Sequence, residues 1–189
     1  LVERKIKCPF YVSQNDGTLM SADFIARYPA LTFASGPTNS LRGAAVLSKL
    51  DNAIVVDIGG TTSDVGVLAN GFPRESNSFI DVGGIRTNFR MPDIMAIGLG
   101  GGSLVSADGK SVGPSSVGHR LVKEGQVFGG SQLTATDIIV AAGHQDIGDV
   151  NKVSGLSGSL VSKASAAMHR MIDDAIDKMR PSDEPVPVI

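Results

Sequence analysis

Asp57-Ile58-Gly59-Gly60-Thr61-Thr62-Ser63-Asp64-Val65 decides how this chain is read. The run before it, Ala53 to Ile58, is apolar and β-branched, the pattern of a buried strand. Such a strand delivers Asp57 to its exposed end. Two glycines follow, with no Cβ to block an approaching anion, and their N–H groups can point at phosphate oxygens. Thr61, Thr62 and Ser63 add hydroxyl donors, and Val65, Val67 and Leu68 return as a second strand. Asp57 would repel a phosphate directly, but not across a Mg²⁺ ion or a water held on it, and it could also orient an attacking water. A tight hairpin, with glycines for geometry and threonines for β propensity, is the plain alternative. The flanking acids and three hydroxyls favour the phosphate reading.

Working outward, Asn70-Gly71 signals a hairpin and places a third strand near Ser78 to Val82. Ile94 to Ile97 reads as another buried strand, ending in Gly98, Gly100, Gly101 and Gly102. Asp108-Gly109 turns a small hairpin, and Gly113 to Gln132 reads as loop. Thr134 with Asp137 resembles a capping box for a helix through Ala142. Leu160, Ala164, Ala167, Met168, Met171, Ile172, Ala175, Ile176 and Met179 recur at three and four residues, an amphipathic helix of about five turns stopped before Pro181. Upstream, Ser21 caps a short helix to Tyr28, stopped by Pro29. Leu31 to Ala34 is a candidate strand and Ser35-Gly36-Pro37 a turn. Asn39 or Ser40 opens a helix to about Leu50. Strands and helices in this order predict one mixed α/β domain over residues 1–189.

Composition limits the function. The chain has 189 residues with 17 basic and 19 acidic side chains, so no charge excess or basic run points to nucleic acid. No apolar stretch approaches the roughly 20 residues needed to cross a bilayer. One cysteine, Cys8, cannot form an internal disulfide, which fits a reducing, cytoplasmic setting. The Val186-Pro187-Val188-Ile189 tail reads like the start of a buried strand, and the chain is expected to be an internal piece of something longer.

Asp-Ile-Gly-Gly-Thr-Thr-Ser-Asp-Val resembles the second phosphate motif of actin-like ATPases, a ribonuclease H-like fold shared by sugar kinases and Hsp70-type proteins. An ordered set of motifs is similar, more narrowly, to the hydantoinase/oxoprolinase family and its hydantoinase A-type subunit. The set comprises Gln14 to Met20, Ser35-Gly36-Pro37 with Gly43-Ala44-Ala45, Val82-Gly83-Gly84, Arg86-Thr87, Pro92-Asp93-Ile94, Ile97 to Ser103 and Val112-Gly113-Pro114. The resemblance implies an ATP- and Mg²⁺-dependent enzyme that activates a cyclic amide or related carbonyl, such as a hydantoin, 5-oxoproline or a ketone. A second subunit or fused domain would complete the chemistry. It assigns Asp57 to catalysis or to the metal. It assigns Gly59, Gly60, Thr61 and Thr62 to the β/γ-phosphates, with Gly100, Gly101 and Gly102 closing the same cleft. The first phosphate hairpin and the adenosine motif would lie outside this piece, which alone should bind ATP weakly or not at all. His119 to Gly125 departs from the family's Pro-Gly-Pro-Ala-Cys-like stretch and leaves the substrate open. Nucleotide-gated chaperones and reactivating factors of the same superfamily are the alternative reading.

Other signals are weaker. Gly109-Lys110-Ser111 lacks the glycine a P-loop needs five positions before Gly109, where Leu104 stands. Gly98 to Ser103 lacks a dinucleotide fingerprint's last glycine. His119, His144 and His169 have no metal-ligand spacing, and His169 reads as a solvated face. Cys8, before Pro9 in an apolar setting, reads as a buried or inert thiol. The Met168, Met171 and Met179 stripe reads as core. Arg86 and Asp93 read as substrate contacts or a local ion pair, and Asp64 as an anchor for the hairpin.

Overall fold

The computed structural model describes residues 7–76, 80–82, 84–87 and 90–189. The chain divides into two compact units. One comprises residues 1–55, 66–94 and 184–189, the other residues 56–65 and 95–183.

In the first unit, β1 (Tyr11–Ser13) and β2 (Leu19–Ser21) form an antiparallel hairpin. Ser21 then caps α1 (Ala22–Arg27), its hydroxyl accepting from the Phe24 N–H at 3.3 Å. The proposed strand at Leu31 to Ala34 is instead a 3-10 turn, Pro29–Thr32. Proline at its first position presets a helical φ, and that outweighs the short apolar run. α2 (Ser35–Ser48) starts earlier than its polar residues suggest. Ser35-Gly36-Pro37 is its first turn, where proline's missing N–H costs nothing. Lys49, left-handed at φ 60°, ends it with its N–H on Ala45 O.

The central sheet orders β3 (Ala53–Ile58), β4 (Ser63–Ala69) and β5 (Phe72–Pro73) as neighbours, with β8 (Ile94–Ile97) against β4. Asn70 and Gly71 both carry positive φ, 54° and 76°, as a two-residue type I′ hairpin requires. The strand after them is therefore β5, closer than expected. Of the stretch expected to form it, Ser78 and Phe79 lie outside the described residues. β6 (Ile80–Val82) pairs instead with β7 (Ile85–Thr87). Leu41 and Ala45 of α2 pack on Ala53, Val55 and Leu68. Gly66 allows it: a Cβ there would sit 2.7 Å from Leu41 Cδ2. Arg42 hydrogen-bonds Gly71 O and lies 3.9 Å over the Phe72 ring, a cation–π contact. The tail pairs parallel to β3: Ile54 N–H donates to Pro187 O at 2.8 Å and Ile189 N–H to Ile54 O at 2.9 Å.

The second unit holds the tip of the β3–β4 hairpin, the end of β8, and the hairpin of β9 (Ser103–Val105) and β10 (Val112–Ser116). The segment from Gly113 to Gln132, read as loop, carries most of β10, the short helix α3 (Leu121–Glu124) and two 3-10 turns. Its glycine content hid these short elements, which leave no periodicity to read. α4 (Ala135–Ala141) opens with the full Thr134–Asp137 capping box, and α5 (Gly158–Met179) is capped by Ser157. The core packs Leu99, Val112, Ala135 and Ile138 against Ala164, Ala167 and Met168 of α5. The methionine stripe thus serves the core at Met168 and Met179, both buried.

Candidate phosphate-binding turn

The second unit brings the two glycine segments into backbone contact. Gly59 N–H donates to Thr62 O at 2.9 Å, closing the turn between β3 and β4. Gly101 N–H donates to Gly59 O at 3.0 Å and Gly102 N–H to Gly60 O at 2.7 Å. A Cβ on Gly100 would lie 2.6–2.7 Å from Thr61 N, Gly59 O and Gly60 C. Only a residue without a side chain fits there. Ser63, fully buried, donates its hydroxyl to Leu99 O at 2.6 Å, and Ser103 Oγ accepts from Gly100 N–H at 2.9 Å.

These bonds sort the expected residues by what they still offer. The N–H groups of Gly59, Gly101 and Gly102 are already donated to protein carbonyls. Those of Gly60, Thr61 and Thr62 meet no acceptor among the described residues, and all three residues are exposed. A Cβ on Gly60 would meet nothing within 4 Å. The hydroxyls of Thr61 and Thr62 are likewise unengaged among the described residues.

Asp57 and Asp64 flank this turn on its two strands. Burial first, and the neighbouring Asp57 carboxylate second, push the Asp64 carboxyl above its ordinary value. Two carboxylates held this close repel, and a cation between them would relieve both. Among the described residues, no group of three His, Cys, Asp or Glu is placed to hold a metal.

Several supporting residues carried no sequence signal. Thr136, at the start of α4, receives Gly101: its N–H and hydroxyl both donate to Gly101 O, at 3.0 and 2.9 Å. Gly118, at φ 56°, lies against Thr61 Cγ2. Asp137 does more than cap. Fully buried, it accepts from Thr134 N–H (2.7 Å), Thr134 Oγ1 (2.8 Å), Val127 N–H (2.7 Å) and Gln126 N–H (3.3 Å). A cavity of about 530 Å³ opens beside the glycine turns, lined by Ile58, Gly59, Gly100, Gly101 and residues of α4 and α5. His169, read as a solvated residue, is exposed at its rim. Asp93 pairs with Arg74 at 2.7 Å, a local ion pair as its reading allowed. Cys8 is exposed, which corrects the buried half of its reading as a buried or inert thiol.

The fold is a mixed α/β arrangement with a glycine turn at the end of a strand. A model of the hydantoinase/oxoprolinase family matches residues 1–179, and the chain belongs to that family. It is 29% identical to the acetophenone carboxylase gamma subunit of Aromatoleum aromaticum (strain EbN1), over 71% of this chain and 19% of that protein. Among solved structures it is similar to nucleotide-free acetone carboxylase, with TM-score 0.66 and 23% identity over 95% of this chain and 28% of that one. The ATP-dependent caprolactamase from Pseudomonas jessenii is also similar, with TM-score 0.52 and 24% identity over 76% of this chain and 24% of that one. The chain therefore spans between 19% and 28% of the length of these relatives.

Proposed function

We propose that this chain is the phosphate-gripping piece of a longer hydantoinase A-type enzyme that uses ATP to activate a cyclic amide or related carbonyl for hydrolysis. The observation that carries the reading is the set of three outward, unpartnered N–H groups at Gly60, Thr61 and Thr62. They sit at a strand end, beside a carboxylate pair. Successive N–H groups left free at a turn are the kind of donors that take phosphate oxygens.

The residues present suit magnesium-ATP. Gly60, Thr61 and Thr62 would hold β/γ-phosphate oxygens through N–H and hydroxyl donors. Gly59 shapes the turn, Gly101 and Gly102 buttress it by taking up the Gly59 and Gly60 carbonyls, and Gly100 packs against it. Asp57 and Asp64 would face Mg²⁺, which commonly takes one or two carboxylates together with substrate phosphates. Bound magnesium-ATP would supply a phosphoryl group to the carbonyl oxygen, which makes the carbonyl carbon more electrophilic. One water would then add to that carbon as the carbon–nitrogen bond opens with a proton to nitrogen, and a second would release the phosphoryl group, so that cyclic amide, ATP and two waters give the ring-opened amino acid, ADP and phosphate. Within this sequence the chain's own residues bind, orient and screen charge, with Asp57 at the metal or ordering the acceptor.

Support for carbonyl activation comes from the relatives, whose names specify acetophenone carboxylase, acetone carboxylase and an ATP-dependent caprolactamase. One of them is a gamma subunit, in keeping with a second subunit or fused domain as partner. A cytoplasmic setting fits the one cysteine. Among the described residues, no helix is long and apolar enough to cross a membrane.

The test is ATP hydrolysis by the full-length parent, with and without hydantoin, 5-oxoproline, a lactam, or a ketone plus bicarbonate. Stimulation by one of these, lost in Asp57→Ala, is the expected result. Turnover raised only by a protein client would point to a nucleotide-gated chaperone instead.

A further inference from the structure

The cavity beside the glycine turns is continuous with them, since Gly59, Gly100 and Gly101 line both. Its volume, about 530 Å³, lies in the range that encloses small organic ligands. The floor is hydrocarbon, from Leu99, Ile139, Val140, Met168 and Ile172. Among the described residues, no Asp, Glu, Lys or Arg belongs to the lining, and the polar side chains there are Thr136, Gln145 and His169. Thr136 is already committed to Gly101 O, so Gln145 and His169, both exposed, are the adjustable polar groups.

We propose that this cavity is the acceptor pocket, and that its lining selects an uncharged carbonyl compound on a hydrocarbon frame over a carboxylated one. The inference rests on the phosphate reading above, because it places the acceptor next to the turn that grips the transferred group. A ring or alkyl body against the apolar floor gains about 25 cal/mol for each Å² taken from water. Its carbonyl, turned toward Gly59 and Gly100, would lie beside the turn, whose free N–H groups at Gly60, Thr61 and Thr62 stand outside the lining. A carboxylate on that frame would enter a pocket with no cation to meet it, and burying an unpaired charge is strongly unfavourable. Cyclic amides bearing an acid, 5-oxoproline among them, are therefore disfavoured. Hydrocarbon lactams and ketones are favoured.

The experiment uses full-length parent protein and measures KM for ATP and KM for the carbonyl separately, with a hydrocarbon lactam, a ketone plus bicarbonate, and 5-oxoproline. Ile147, 42% exposed at the rim, takes a cation without disturbing the core. Ile147→Lys is expected to raise KM for the uncharged carbonyl at least about tenfold, since a charge is forced onto its apolar face. KM for ATP should stay unchanged, and the discrimination against 5-oxoproline should narrow. Ile172→Ala, which enlarges the floor, should raise the same KM by a larger factor than it raises KM for ATP. A rise in KM for ATP instead would assign the cavity to the nucleoside and overturn the proposal. So would 5-oxoproline as the preferred substrate of the wild type, or KM values indifferent to both substitutions. Carbonyl stimulation that survives with these results would leave the phosphate reading standing. Hydrolysis indifferent to every carbonyl and to Asp57→Ala would remove both.

Discussion

A Cβ on Gly100 would collide with backbone atoms of Gly59, Gly60 and Thr61, whereas one on Gly60 would stand in open space. The two glycines therefore predict opposite outcomes. Gly100→Ala must push the paired turns apart, costing about 1–3 kcal/mol as overpacking does, and chemical denaturation will show it. Gly60→Ala should leave stability within about 0.5 kcal/mol while, on the proposed role, weakening nucleotide binding in the parent by placing a methyl in the phosphate's path; isothermal titration separates the two effects. Asp64 adds a pH signature. Its folded carboxyl holds a proton above the ordinary value, so in this window the folded state binds more protons than the unfolded one. Stability then falls as pH rises from the ordinary carboxylate value through the raised one, and the loss persists at neutral pH. Asp64→Asn should raise Tm at neutral pH, with the gain vanishing in strong acid, where both states are protonated. A Tm gain that is constant across pH would refute the assignment.

At the scale of elements, α4 and α2 are each fixed by different means. α4 depends on Asp137, whose buried carboxylate receives donors from its own cap and from Gln126 and Val127. Removing it strands several buried N–H groups. Asp137→Ala should cost at least about 2 kcal/mol, because hydrogen bonds to a charged group are the stronger kind, and far-UV circular dichroism in urea will measure it. α2 depends on closeness: Leu41 is fully buried against Gly66 of β4. Gly66→Ala has no room without moving Leu41, and about 1–3 kcal/mol is expected. Pairing it with Leu41→Ala should recover part of that loss, which a double-mutant cycle reads directly.

At the scale of the whole molecule, the two compact units each carry their own apolar cluster, around Leu41 in one and around Ile138 in the other. The chain crosses from one unit to the other within β3, within β4, at Ile94–Met95 and at Asp183–Glu184. The candidate turn lies in the second unit, where Ser63, Gly100 to Gly102 and Thr136 brace it. Asp57→Ala in the full-length parent is therefore expected to abolish carbonyl-stimulated ATP hydrolysis, on the proposed role, without loss of fold. Asp57 is only half-buried and belongs to neither apolar cluster. A thermal melt alongside the assay distinguishes lost chemistry from lost structure.

Local chemistry was enough to read much of this from the residues alone. β3 and β4, the Asn70-Gly71 turn, the Thr134–Asp137 box, and the long helix each announce themselves through patterns a few residues wide. The family too is written in ordered short motifs, and the match over residues 1–179 bears that out. The 3-10 turn at Pro29–Thr32 and the short helices after Gly118 were not legible, because a single turn leaves no period. Only the tertiary structure decided which N–H groups remain free. Gly59, Gly60, Gly101 and Gly102 look alike in sequence, yet packing spends the donors of Gly59, Gly101 and Gly102 on protein carbonyls and leaves Gly60 facing outward. The same holds for the cavity, whose lining comes from strand ends and two helices far apart in the chain. Side-chain type and spacing are local properties. Which polar group is already satisfied, and which apolar faces enclose a space, are set by contacts between distant segments.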